Sequence, residues 1–385
     1  MVVPLLATGA CAPEAAPAEG THVLGEPLPD LRDEERGRFF LGRALFERLA
    51  TPEEGLGPLF NAERCSSCHD EPAPGGGGTR ILVLKATRWA DGRCDDLAAR
   101  GGDNVQLRAS PLLQAHGFGP EDVPVEATAT AFVTAPPLFG LGLLEAVPEE
   151  EILRRADPGD ADGDGVSGRL PRLPDGRGAR FGRKGDAATV AGFVESALRF
   201  ELGFTTEAHP EELARNGVPL PPGADPMPDP EMDAAALALL SDYVRRLAPP
   251  AAAAPGGAAA DTLREGEGLF SAVGCAACHV PTLVTGTSAS AALAGRRIRA
   301  FTDLLLHDLG RGDGDVCTPQ AAPGEYRTAP LWGLRHRTRY LHDGSATTLE
   351  AAIAAHGGEG ASSAEAFRRL GGADRSLLLR FLGTL

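Results

Sequence analysis

The sequence predicts a mainly α protein built as two similar modules, and three observations carry that expectation. The pentad Cys-x-x-Cys-His occurs twice, as Cys65-Ser66-Ser67-Cys68-His69 and as Cys275-Ala276-Ala277-Cys278-His279. Each copy is flanked by stretches with apolar residues at helical spacing, one before it and one far downstream. Between the two units, residues 248–260 contain only Pro, Ala and Gly, a composition that cannot bury a core and reads as linker.

The first unit opens with residues 33–50, which place Gly42, Leu45 and Phe46 on one helical face, and closes with 231–247, which carry Leu240, Tyr243 and Leu247. In the second, Gly266, Leu269 and Phe270 precede Cys275, and 374–385 carry Leu378, Phe381 and Leu382. A Leu-Phe pair in Gly57-Pro58-Leu59-Phe60 also precedes Cys65, so either pair can fill the packing role. Residues 80–136 have patchy β-branched character and scattered glycines, which predicts a loop-rich insertion with a short hairpin. The expected boundaries are 1–32 for a leader and linker, 33–247 and 262–385 for the modules, and 248–261 for the connection.

The pentads carry chemistry. Two thiols three residues apart can each form a thioether to one vinyl group of a porphyrin, and the adjoining histidine then reaches the iron. CxxC alone also marks zinc sites and redox dithiols, but those readings leave both histidines unexplained. In cytochrome c folds two helices cross and close the haem pocket. The expectation is therefore two cytochrome c-like haem domains with loop-rich insertions and two covalently bound haem c groups.

Charge and composition exclude other classes. The 385-residue chain has a net charge of −16 and a pI near 5.0, against nucleic acid or an anionic membrane surface as partner. Only 5% of residues are aromatic, whereas Gly (49) and Pro (32) are abundant, as expected for ordered loop around modest helices. No apolar run reaches the length of a membrane span. Thioether attachment takes place outside the cytoplasm, so an export signal is expected. The start, Met1-Val-Val-Pro-Leu-Leu-Ala-Thr-Gly-Ala-Cys11, resembles a clipped lipoprotein signal. It points to the periplasm or cell envelope, with a lipid anchor through Cys11 and an outer-membrane lipoprotein as one form.

Two further features are legible. Asp160, Asp162 and Asp164 stand at positions one, three and five of an EF-hand-like loop with Gly165 at six, a calcium pattern whose twelfth position is Pro171 rather than Glu. Cys94 and Cys317 are left over by the pentads and can form a disulfide, though nothing in their spacing requires it.

Several longer motifs resemble a known family. They are Gly55-Leu-Gly-Pro-Leu-Phe-Asn61, Pro137-Leu-Phe-Gly-Leu-Gly-Leu-Leu-Glu145, the Asp/Gly-rich 160–169, Thr302-Asp-Leu-Leu-Leu-His-Asp-Leu-Gly310 and Tyr340-Leu-His-Asp-Gly-Ser-Ala-Thr-Thr-Leu-Glu350. Over residues 33–385 the chain is similar to di-haem oxidoreductases, relatives of di-haem cytochrome c peroxidase and of the methylamine-dehydrogenase maturase. The thiol oxidoreductase label sometimes given to that family has no support here from a reactive cysteine.

The resemblance implies a site. The second haem's distal ligand falls fourteen residues after His342, on His356, giving a bis-histidine iron with His279. None of the three methionines follows the second pentad, which independently excludes methionine ligation from within that module. At the first haem His69 is proximal, and the position of the relatives' distal histidine holds Lys85. This iron is therefore expected to be open, with His116 and His209 as the remaining candidate ligands. The relatives' distal acid maps onto Glu201, with Glu195 as a substitute, and a propionate-pairing arginine maps onto Arg327. Trp332 lines an electron path or packs in the core, and His307 and His342 orient loops near the haems. The chain departs from the family at Phe193, where a glutamine is usual, and at Arg183, where an aromatic is usual.

The function implied is a periplasmic oxidoreductase, cytochrome c peroxidase-like, with peroxide as small-molecule oxidant. Electrons pass from the bis-histidine haem to the open one, supplied by a redox partner such as a cytochrome. The rivals are a pure electron carrier and a maturase-like enzyme that oxidises a partner protein.

Overall fold

The computed structural model describes residues 23–251 and 257–385; the leader-like Met1 to Cys11 lies outside them. It corrects the expectation of a mainly α fold. Helix accounts for 32% and strand for 16% of a mixed architecture with several small antiparallel sheets. The helices gather at two crossings, and the sheets fill the insertions between them.

At the first crossing, helix Asp33–Glu47 packs on helix Ala234–Arg246. Acidic Asp33, Glu34 and Glu35 occupy the first turn, where they complement the helix dipole. Glu35 accepts from the Arg32 backbone N–H and from its guanidinium, both at 3.1 Å. Asp233 caps the partner helix by accepting from the Ala236 N–H at 2.7 Å. The buried stripe is Phe39, Gly42 and Phe46, and the Phe46 and Tyr243 rings meet at 4.8 Å. Gly42 permits this approach, since a Cβ there would overlap the Leu239 carbonyl oxygen. The packing pair is thus Leu45-Phe46; Leu59–Phe60 instead forms a two-residue strand paired with Arg108–Ala109.

The second crossing pairs helix Ala258–Ala272 with helix Gly372–Leu382. Phe270 meets Phe381 at 5.7 Å, and Phe301 closes the triangle at 5.8 Å from each. The Ala258 helix starts inside the stretch read as linker, and Ala248, Pro249 and Pro250 are buried.

The largest departure from expectation is the insertion. A thirteen-residue strand, Gly78–Ala90, pairs antiparallel with Ala129–Ala135, with Asn104–Val105 and with Arg93–Asp95. Most of its residues are half-buried on both faces, so the clean apolar and polar alternation that marks a strand in sequence is missing. Cys94 on this sheet bonds to Cys317, 223 residues away, with Cα atoms 5.8 Å apart. The pairing ties the first unit's insertion to the second unit. No helix among the described residues is long and apolar enough to cross a membrane.

Candidate functional site

Both pentads begin with a short 3-10 turn, Cys65–Ser67 and Cys275–Ala277. The turn folds the histidine N–H back onto the first cysteine's carbonyl, at 3.1 Å for His69 and 2.9 Å for His279. Each imidazole is then fixed from outside. His69 Nδ1 bonds the Gly76 carbonyl at 3.1 Å, His279 Nδ1 the Phe301 carbonyl at 3.0 Å, and His356 Nδ1 the Ala352 carbonyl at 2.8 Å. A carbonyl only accepts, so Nδ1 carries the proton in all three and Nε2 presents a lone pair. Burial pushes His69 down to about 4, and burial with the nearby His356 does the same to His279. The two pentad imidazoles are therefore neutral, and all three rings are oriented.

The His279 and His356 rings face each other with centroids 6.4 Å apart. Imidazole nitrogens sit about 2 Å from a bound transition metal, so two rings on opposite sides of one iron stand about 6 Å apart. The spacing suits one metal between two Nε2 atoms. These residues line a cavity of about 580 Å³ together with Cys275, Cys278 and Trp332, within the range of roughly 300–1,000 Å³ usual for cofactor pockets. Gly77, Phe181 and Phe193 from the first unit also line it. Among the described residues, the metal-capable group at a pentad is Cys278 with Asp303 and His307, which uses one sulfur and leaves out Cys275 and His279, whereas a structural zinc site takes both CxxC sulfurs. The residues fit haem.

Among the described residues no second imidazole answers His69; the aromatic ring beside it is Phe46, at 6.3 Å. Lys85 is turned to Asp103, with which it pairs at 3.0 Å, while His116 and His209 are exposed on the surface. The candidate ligands other than His69 are therefore not assembled here. Glu201 lies in a π-helical turn, Leu198–Leu202, a form frequent at functional sites. Its carbonyl accepts from the Asn61 and Ala62 N–H groups at 2.7 and 3.0 Å, tying it to the segment that leads into Cys65. Its carboxylate accepts from Asn61 at 3.1 Å and from Asn104 at 2.7 Å. Burial raises its pKa above the ordinary value, against the pull of Lys85 and the two amides. Glu195 is engaged elsewhere, accepting from the Thr206 hydroxyl at 2.8 Å, and Phe193 lines the cavity where a glutamine is usual.

In the second unit His307 lies 3.7 Å from Cys278 Sγ. Its Nε2 meets Asp303 at 2.8 Å and its Nδ1 meets Glu359 at 2.7 Å. Burial pushes this imidazole down, but the Asp303 bond and the Cys278 sulfur lift it to about 11. Both ring nitrogens are committed to carboxylates, which pins the ring. Arg327 donates to the Gly182 carbonyl at 2.8 Å, and buried Trp332 packs over Gly140 while lining the cavity. Sequence reasoning missed Asn61 and Asn104. Asn61 had a signal, closing the motif four residues before Cys65, whereas Asn104 is brought in only by the sheet.

The acidic loop differs from its expected ligand set. Asp157, Asp160 and Asp162 converge within 4.8 Å, whereas Asp164 turns to cap the Val166 N–H at 2.8 Å.

Fold and site define a class, the haem-binding oxidoreductases. Residues 126–385 match the family described as "Di-haem oxidoreductase, putative peroxidase", and the chain belongs to that family. Membership implies haem cofactors; the matched span holds the second pentad, His356 and Glu201. No curated protein matches the chain. Among solved structures, 19 chains match. One is a hydrazine synthase of Kuenenia stuttgartiensis pressurised with xenon, 16% identical, covering 100% of this chain and 99% of its own, with a TM-score of 0.44. Another is a MauG-like protein associated with microbial copper homeostasis, 15% identical, covering 98% and 94%, with a TM-score of 0.41.

Proposed function

We propose that this chain is an exported di-haem c-type oxidoreductase that reduces peroxide, with electrons delivered by a small redox protein such as a cytochrome. Cys65, Cys68 and His69 would hold one haem, and Cys275, Cys278, His279 and His356 the other. When bound, the pair supplies an electron store at the bis-histidine iron and an iron open to peroxide at His69, the former feeding the latter.

The observation that carries this reading is the asymmetry between the two histidines. His279 faces a second oriented imidazole at 6.4 Å, whereas His69 faces none among the described residues, and the Lys85 ammonium is held by Asp103.

The chain's own residues supply the proton handling. Peroxide cleavage needs a base for one oxygen and an acid for the other, and one carboxyl with a raised pKa serves both. Glu201 is half-buried, raised and held by two amides. The Cys94–Cys317 disulfide supports an oxidising compartment, in keeping with haem attachment outside the cytoplasm.

The test is the ferric spectrum of the exported protein. It should contain one high-spin and one low-spin haem, and His356→Ala should abolish the low-spin species. A wholly low-spin spectrum would favour the electron carrier, and steady-state peroxide turnover with a reduced cytochrome distinguishes the maturase-like alternative.

A further inference from the structure

Three half-buried guanidiniums face the cavity, and the carboxylates nearest them, Asp186 and Asp303 for Arg327 and Asp343 for Arg183, act on them only from beyond ion-pair distance. Arg183, Arg327 and Arg337 all line it. Neighbouring cations are neutralised, Lys184 by Asp315 at 3.9 Å and Arg311 by Asp343 at 3.1 Å. These three have no ion pair among the described residues and are held by neutral oxygens. Arg183 donates to the carbonyl of Thr134 and, at 3.1 Å, to its hydroxyl. Arg327 donates to the Gly182 carbonyl at 2.8 Å, and Arg337 to that of Pro330 at 3.1 Å. Such bonds aim a guanidinium without cancelling its charge.

One guanidinium donor and one imidazole nitrogen are left over. Arg337 Nε and His342 Nε2 are buried without a hydrogen-bond partner, and both residues line the same cavity. An unpaired buried charge is strongly unfavourable, and an arginine cannot escape by losing its proton. Burial and the repulsion of Arg337 and Arg327 push Arg183 down to about 10, still charged at neutral pH. The wall therefore asks for an anion with more than one acceptor oxygen, and planar guanidiniums match carboxylates best.

We propose that Arg183, Arg337 and His342, together with Arg327, form a carboxylate cradle for the propionate side chains of the haem attached at Cys275 and Cys278. The inference rests on the haem reading above. It assigns this corner of the cavity to the cofactor's acidic edge rather than to a free anionic substrate.

The experiment compares the matured protein with Arg183→Leu, Arg337→Leu and the conservative Arg183→Lys. Resonance Raman propionate modes and the reduction potential of the low-spin haem are recorded from acid to alkaline pH. Each leucine variant should move the propionate modes and lower the potential, since a cation beside the haem favours the reduced iron. Each should also make the potential pH-dependent near neutrality, as a propionate that has lost its cation titrates there. Arg183→Lys should recover most of the shift in potential but not the modes set by bidentate contact. Modes and potential that coincide with the parent in both leucine variants, measured on folded protein by thermal melt, would overturn the assignment. So would a saturable spectral change on adding acetate or inorganic phosphate to the parent that is absent from the variants, because the cradle would then be open to free anions. A pyridine haemochrome assay separates the two levels: fewer than two haem c per chain removes the haem reading itself, whereas two haems with unmoved propionates remove the cradle alone.

Discussion

The two pentad regions share a turn, a carbonyl-fixed histidine and a helix crossing, yet they are assembled on different length scales. Around the second pentad, His279, Phe301, His307, Arg327 and His356 fall within one continuous stretch after Cys275. Around the first, the chain brings Asn61, Lys85, Asn104 and Glu201 together from four separated segments, across a sheet and a π-helical turn. The local site sets a second imidazole opposite its pentad histidine. The dispersed site gathers a carboxyl, two amides and an ion pair beside the segment that leads into its pentad. A site that must keep a coordination position open and move protons needs polar groups from several directions, which a single short segment cannot supply.

The sharpest way to break this comparison is Glu201→Gln. If proton transfer belongs to the first site, peroxide kcat/KM should fall by about 100- to 10,000-fold while the low-spin signature of the second site stays unchanged. The pH profile tests the same residue. Burial raises its pKa above the ordinary 4.5, so a base role predicts an acid limb lying above that value, with turnover lost as pH falls through it and the limb absent from the variant. Equal loss in both variant and parent spectra would mean that Glu201 only supports the fold.

Legibility followed the same division. His356 is placed by resemblance, through a count of fourteen residues from His342 that helix Leu349–Ala354 keeps as local register. Glu201 is placed through a motif shared with the relatives, and its partner Asn104 not at all, since a side-chain hydrogen bond spanning 97 residues leaves no periodic trace. The mainly α expectation failed for a related reason. The helices that pattern clearly are those at the crossings, whereas the Gly78–Ala90 strand is half-buried on both faces and gives no alternation. The Cys94–Cys317 pairing was open in sequence because spacing says nothing about a contact set by two insertions folding together.

That disulfide is the next test, because it fastens the dispersed site's sheet to the local site's unit. Closing a loop of this length is worth about 5 kcal/mol in the chain-entropy account, and measured losses are typically about 2–5 kcal/mol. Replacing both Cys94 and Cys317 by Ser should lower stability by that order in denaturant melts. Cys317 lies in the stretch before Tyr326, whose hydroxyl donates to Asp315 at 2.5 Å. The loss should therefore disturb the cavity wall before it disturbs His69. Hydrogen exchange that accelerates first around His69 would reverse that order.

The smallest expected effect separates the two helix crossings. A Cβ on Gly42 would overlap the Leu239 carbonyl, deep in a contact between backbones, whereas one on Gly266 would stand 2.6 Å from the Leu377 carbonyl. Both substitutions to Ala overpack, at a typical cost of about 1–3 kcal/mol, with Gly42→Ala near the upper end and Gly266→Ala near the lower. The partner helices explain the difference in tolerance. Helix Ala234–Arg246 is fixed by its Asp233 cap and by Arg245 bonded to Glu145, so it cannot slide away from an added methyl. Helix Gly372–Leu382 has no side-chain cap at its start, so it can yield. Thermal melts of the two variants should therefore differ in that order, and an equal or reversed ranking would mean that the shared crossing, rather than the freedom of its partner helix, sets the cost.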